Sequence, residues 1–134
     1  MKIEEYFKKL QSRHNYCLDF NDFSSTLALY PATLVAIADG EFSALERGNI
    51  ISALKEATDN DIVLFEMYRL LNNLIELDAN EKASLLQSIK EAIADKPDLK
   101  AIVLELMVLT ADADDGISNE EAALIDELKT TLSI

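Results

Sequence analysis

Only five of the 134 residues, Pro31, Gly40, Gly48, Pro97 and Gly116, interrupt regular structure through their own backbone chemistry. A sheet of many short strands needs such residues at most of its reversals, so a many-stranded β fold is excluded. The remainder is dominated by Ala, Leu, Glu and Lys, all strong helix formers. A chain of this length is the size of one domain and buries roughly two-thirds of the surface of its unfolded form. The sequence therefore predicts an all-α fold. It is a compact bundle of about seven helices joined by short loops, a single domain over residues 1–134.

The spacing of apolar residues places the helices. Ile3, Tyr6, Phe7 and Leu10 form one stripe on a first helix over residues 2–14. Residues 15–23 mix aromatic and acidic side chains without a period. They read as a connection that lays Tyr16, Leu18, Phe20 and Phe23 on the core. Ser24 or Ser25 then caps a helix that runs through Leu27, Leu29, Leu34, Val35 and Ile37 to Asp39. Pro31 falls inside this pattern and either kinks one continuous unit, the preferred reading, or splits it into two helices with the second starting at Pro31. The next helix is expected from Ala44 to Ala57, with Leu45, Ile50, Ile51 and Leu54 facing inward. Polar residues 58–61 precede Ile62–Leu77, which is apolar on most faces and is expected at the centre. After a turn at 78–80, an amphipathic helix runs through Leu85, Leu86, Ile89 and Ile93. Lys96, Pro97 and Asp98 end it and start the mostly apolar Leu99–Leu109, and a last helix follows from Ala122 to Leu132.

Charge narrows the function classes. With 25 acidic against 12 basic residues the net charge is −13. Nucleic acid and anionic membrane surfaces are bound through clustered Lys and Arg, so neither is expected as a partner. A cation, or a basic surface on another protein, suits the charge. The lone cysteine, Cys17, forbids an internal disulfide and fits a reducing compartment. The N-terminus is interrupted by charge throughout, and no apolar run reaches the ~18 residues of a membrane span. A cytoplasmic chain without direct membrane insertion is expected.

One motif occurs twice. Ala38-Asp-Gly-Glu-Phe-Ser-Ala-Leu-Glu46 and Ala113-Asp-Asp-Gly-Ile-Ser-Asn-Glu-Glu121 each join an acidic Gly turn to a Ser-x-x-Glu helix start. Ser118 and Glu121 both lie 75 residues after their counterparts Ser43 and Glu46. The repeat suggests a pseudo-two-fold arrangement of a buried helix, an acidic turn and a capped amphipathic helix. Punctuation explains part of it: Gly40 and Gly116 suit the left-handed backbone after a helix, and the Ser/Glu pairs have capping-box spacing. The surplus is Asp39, Glu41, Asp112, Asp114 and Asp115, which sit beside the electronegative end of a helix. Carboxylates with main-chain carbonyls are the ligand set of a hard divalent cation, Ca²⁺ or Mg²⁺, so these five are the candidate metal residues. The turns are not EF-hand loops. With Gly116 in the sixth position, the first and third fall on Ala111 and Ala113.

No catalytic residues or organic cofactor follow from the remaining residues. His14 and Cys17 lie in a polar segment without an orienting carboxylate and read as non-catalytic. Met67, Tyr68 and Met107 read as core, and Glu76, Asp78 and Glu81 as a solvated surface.

Taken together, the two motifs resemble the repeated A-D-G-x-[apolar]-S-x-x-E signature of the TerB-like family, over roughly residues 24–134. Members of that family include a tellurite-resistance protein and the N-terminal region of a membrane-anchored J-domain co-chaperone. The resemblance implies a non-enzymatic helical module with acidic patches, tied to stress or tellurite response. It would act through a partner with a basic surface, membrane-associated partners included. Asp39, Gly40, Glu41 and Glu46, and Asp114, Asp115, Gly116 and Glu121, fall on the family's pattern. Two departures stand out: the second copy has an extra Asp before its Gly, and the J-domain's His-Pro-Asp motif does not occur. An alternative from another class is a small metal-dependent hydrolase, with carboxylates converging from both turns.

Overall fold

The computed structural model describes residues 2–38, 40, 43–112 and 116–134, and these contain helices and no strand. The helices are α1 (Ile3–His14), α2 (Phe20–Ala28), α3 (Tyr30–Ala36) and α4 (Ala44–Ala57), then α5 (Asp61–Leu74), α6 (Ala79–Ile93), α7 (Pro97–Ala111) and α8 (Asn119–Leu132). The expected all-α bundle is met, with its second member divided at Leu29 into α2 and α3. No helix among the described residues is long and apolar enough to cross a membrane.

The first helix behaves as its stripe predicts. Tyr6 and Leu10 are buried, Ile3 and Phe7 partly so, and Phe7 packs against the rings of Phe20 and Phe23 at 5.7 and 5.2 Å. Asn15 ends α1 in the left-handed region, φ 54°, with its N–H donating to the Gln11 carbonyl at 2.8 Å. Asn tolerates that conformation better than most residues.

The second helix starts earlier than expected, and Ser24 and Ser25 lie inside it. The cap is Asp19, whose carboxylate accepts from the Asp22 N–H at 2.8 Å while Asp22 accepts from the Asp19 N–H at 3.4 Å. This is a capping box with Asp in the place usually held by Glu or Gln. Its interruption also has a local cause. Pro31 brings no N–H, so it is tolerated in the first turn of a helix and not in an interior. The chain accordingly ends α2 at Ala28, closes its last turn with the Leu29 N–H on the Thr26 carbonyl, and restarts at Tyr30.

The centre of the bundle is α3. All seven of its residues are buried, and it packs most extensively against α7. Its one buried hydroxyl besides Tyr30, that of Thr33, donates to the Leu29 carbonyl at 2.8 Å, so it costs little to bury. The expectation of a central 62–77 helix is corrected here. α5 buries Met67, Leu70, Leu71 and Leu74 but leaves Ile62 and Phe65 68% and 67% exposed. A 14-residue helix has twice the length of side surface of a seven-residue one, and its neighbours cover only part of it.

Around α3 the remaining packing is reciprocal: α4 lies on α7, α8 lies on α3, and α7 and α8 touch, as do α3 and α4. On the other side α1 packs on α6 and α2, and α2 packs on α5.

Candidate functional site

Both acidic turns enter a capped helix; the first leaves the fully buried α3 and the second the partly exposed α7. At the first, the Ala38 N–H donates to the Val35 carbonyl at 3.1 Å and the Gly40 N–H to the Ile37 carbonyl at 3.0 Å, which tightens the end of α3. At the second, Asp112 closes α7 through its N–H on the Val108 carbonyl at 3.0 Å. Gly40 and Gly116 have φ of +87° and +94°, as the motif predicts. A Cβ added at either would meet nothing within 4 Å. Backbone conformation, not crowding, therefore requires glycine at both places.

The Ser and Glu positions form two matching capping boxes. The Glu46 N–H donates to Ser43 Oγ at 3.1 Å while the Ser43 N–H donates to Glu46 Oε1 at 3.0 Å. In the second copy the Glu121 N–H meets Ser118 Oγ at 3.1 Å and the Ser118 N–H meets Glu121 Oε1 at 2.9 Å. Both glutamates are buried. A buried carboxylate is acceptable there because a backbone N–H satisfies it next to the positive end of a helix.

Of the five candidate metal residues, Asp112 alone is described. It is exposed at the end of α7 and makes no side-chain hydrogen bond or ion pair among the described residues. Asp39, Glu41, Asp114 and Asp115 lie outside the described residues. No three His, Cys, Asp or Glu side chains among the described residues come close enough to hold a metal ion. Asp112 by itself is no site for Ca²⁺, which takes about six to eight oxygen ligands.

A cleft of about 950 Å³ opens elsewhere. Its walls come from the start of α1, from α2, and from Ala53 and Glu56 of α4, Ile93 of α6, and Leu99 and Ile102 of α7. These are the ends of α4 and α7 remote from the acidic turns. The Asn49 side-chain N–H reaches the Leu109 carbonyl at 3.5 Å while Ala53 and Glu56 share the cleft with Leu99 and Ile102, so α4 and α7 run in opposite directions and the groove between them forms a channel leading from the cleft toward the turns.

Leu45, at the turn end of α4, is not part of the core. The sequence pattern places it inward, yet it is 58% exposed. Nine residues at about 100° each place Leu45 half a turn around α4 from the buried Leu54. Glu46, folded back into its capping box, takes the inward place.

The segment holding His14 and Cys17 is pinned by aromatic and polar contacts. The Arg69 guanidinium stands 4.3 Å from the centre of the Tyr16 ring, donates to the His14 carbonyl at 3.3 Å, and pairs with Glu66 at 2.7 Å. The Asn73 amide donates to the Tyr16 hydroxyl, and the His14 ring lies 5.4 Å from the Tyr16 ring. Burial raises the Tyr16 pKa, against the Asn73 hydrogen bond and the Arg69 charge. Cys17 is exposed.

Sequence reasoning missed the channel between α4 and α7. A signal for it was present: Leu99, Ile102, Leu106 and Leu109 form an apolar row beside the core row Val103, Met107, Thr110 and Ala111. A helix with two such rows needs two covered faces. No protein-family model, no curated protein and no solved structure matches this chain.

Proposed function

We propose that this chain is a non-enzymatic, cytoplasmic helical module of the TerB-like kind, tied to stress or tellurite response. Its acidic surface at the turns would bind a partner protein with a basic face, membrane-associated or not, or a divalent cation, Ca²⁺ or Mg²⁺. The observation that carries the reading is the division of labour inside the turns. Gly40, Ser43 and Glu46, and Gly116, Ser118 and Glu121, are each occupied by backbone conformation or capping. The Asp112 carboxylate, unlike its backbone N–H, has no such task and stands in solvent on a chain of net charge −13. A pseudo-two-fold relation between the two segments belongs to the same proposal, and the matching boxes and reciprocal packing support it.

The test is an amide chemical-shift titration with Ca²⁺, with Mg²⁺ and with a lysine-rich peptide. The proposal expects saturable shifts at Gly40, Asp112 and Gly116 with at least one of them. Absence of metal-induced shifts up to millimolar concentration removes the cation branch. If the peptide also leaves these amides unmoved, the reading falls. The hydrolase alternative is separated by a different readout, metal-dependent turnover of a phosphate or carboxylic ester that Asp112→Ala abolishes.

A further inference from the structure

Eight large apolar side chains are exposed among the described residues, and five of them, Leu45, Leu99, Ile102, Val108 and Leu109, belong to α4 and α7. Ile102 and Leu109 are 46% and 55% exposed, so neither is a core residue with a wet edge. On α7 the apolar row Leu99, Ile102, Leu106 and Leu109 follows the side that faces α4. Across from it is Ala53, which shares the cleft with Ile102, and Leu45 lies one turn of α4 before Asn49, the residue that reaches Leu109. Ala53 carries only a methyl group, which leaves the channel open on the α4 side. From Leu99 to Leu109 it is about 15 Å long, ten residues at about 1.5 Å each. That accommodates about three turns of another helix.

Charge decides what kind of helix fits. Asp98, Glu105 and Asp112 are all exposed and lie seven residues apart, which places them in one line along the crest of α7 beside the apolar row. Glu56 is exposed on the α4 wall. Lys100 of α7, and Arg47 and Lys55 of α4, point to the far sides of their helices at about 100° per residue. Lys96, the N-cap of α7, and Lys2, the N-cap of α1, line the cleft at its far end. An apolar floor with an acidic rail is complementary to a helix whose apolar stripe is flanked by Lys or Arg. A second copy of this chain brings the same rail and another −13 charges, so it is repelled.

We propose that the α4–α7 channel docks an amphipathic, basic helical segment of a partner protein. Leu45, Ile102 and Leu109 would take its apolar stripe, and Asp98, Glu105 and Asp112 its cationic flank. The proposal rests on the partner-binding branch above, and it adds the place and the chemistry.

The probe is a fluorescein-labelled helical peptide of about 14 residues, with Leu at i, i+3, i+7 and i+10 and Lys on either side. A scrambled peptide of equal charge is the control. Affinity is measured by polarisation for the wild type and for Leu109→Ser, Ile102→Ser and the charge reversal Glu105→Lys, each checked for an unchanged melt. The expected result is at least a roughly tenfold preference for the amphipathic over the scrambled peptide, and loss of that preference in Leu109→Ser and Ile102→Ser. Glu105→Lys should weaken both peptides, and added salt should do the same. Equal affinity for both peptides, unmoved by Leu109→Ser and Ile102→Ser but lost on Asp112→Asn, overturns the channel and leaves binding at the turns intact. No binding of either peptide overturns both. A dimer in sedimentation that Ile102→Ser dissolves also overturns the proposal, because the channel would then belong to a second copy.

Discussion

The α3–turn–α4 segment and the α7–turn–α8 segment share their punctuation and differ in what surrounds it. Both pass through a left-handed glycine into a Ser/Glu capping box whose glutamate is buried. Yet α3 hides every residue, while α7 presents Leu99, Ile102, Val108 and Leu109 to solvent. Length accounts for part of this: α3 has 7 residues and α7 has 15, so α7 extends beyond the neighbours that enclose α3. A repeated local motif thus constrains the chain's path without constraining burial. The segment that exposes apolar surface is the one that also carries the acidic row Asp98, Glu105 and Asp112.

Breaking the comparison at its buried side gives the largest effect. Val35→Asp puts an unpaired carboxylate where the side chain is fully enclosed and should cost more than about 4 kcal/mol, enough to unfold the chain. Ile102→Asp on the exposed face of α7 should stay within about 1 kcal/mol. Urea denaturation followed by circular dichroism separates them, and equal losses would mean that Ile102 belongs to the core.

The capping boxes come next. Ser43→Ala and Ser118→Ala should each cost about 1 kcal/mol, because each leaves one N–H of the first turn unpaired. The two losses should agree to within about 0.5 kcal/mol, since the distances in the two boxes agree to 0.1 Å. A similar pair, Gly40→Ala and Gly116→Ala, should each cost about 1 kcal/mol through the positive φ alone. A much larger loss at one of them would reveal contacts that the other turn lacks.

How much of this is legible in the sequence follows from which rules act locally. The boxes at Ser43/Glu46 and Ser118/Glu121, the glycine conformations and the bounds of α4 are set within a few residues, and spacing alone locates them. The Asp19/Asp22 box obeys the same rule but escapes notice, because the aromatic residues around it have no helical period. The split at Leu29 turns on Pro31, where a kink and a restart look identical in sequence. Burial is the least legible. Leu45 and Phe65 are as apolar as Leu54 and Leu70, and only the positions of other helices decide which of them meets water. Of the candidate site, Asp112 is placed at the end of α7, and the other four acidic candidates lie outside the described residues.

The smallest expected effect concerns Tyr30. Its hydroxyl is buried in α3 with no hydrogen-bond partner among the described residues, and burial, then Tyr6, pushes its pKa from 10.0 up to about 12. The raised pKa means that the folded state keeps a proton the unfolded state releases. This contribution is full below pH 10 and is lost as pH rises toward about 12. Tyr30→Phe should therefore match or exceed wild-type stability by up to about 1 kcal/mol at neutral pH, and should lose less between pH 10 and 12. Chemical denaturation at several pH values checks both.

The central claim is that the exposed face of α7 beside α4 receives a basic helix. The most direct measurement is an amide shift map of the whole chain titrated with the amphipathic lysine peptide. Shifts clustered at Leu45, Asn49, Ile102, Glu105 and Leu109, with α3 and the Ile62/Phe65 face of α5 unmoved, are the predicted result. Shifts centred on Ile62 and Phe65, or scattered evenly over the acidic surface, would contradict it.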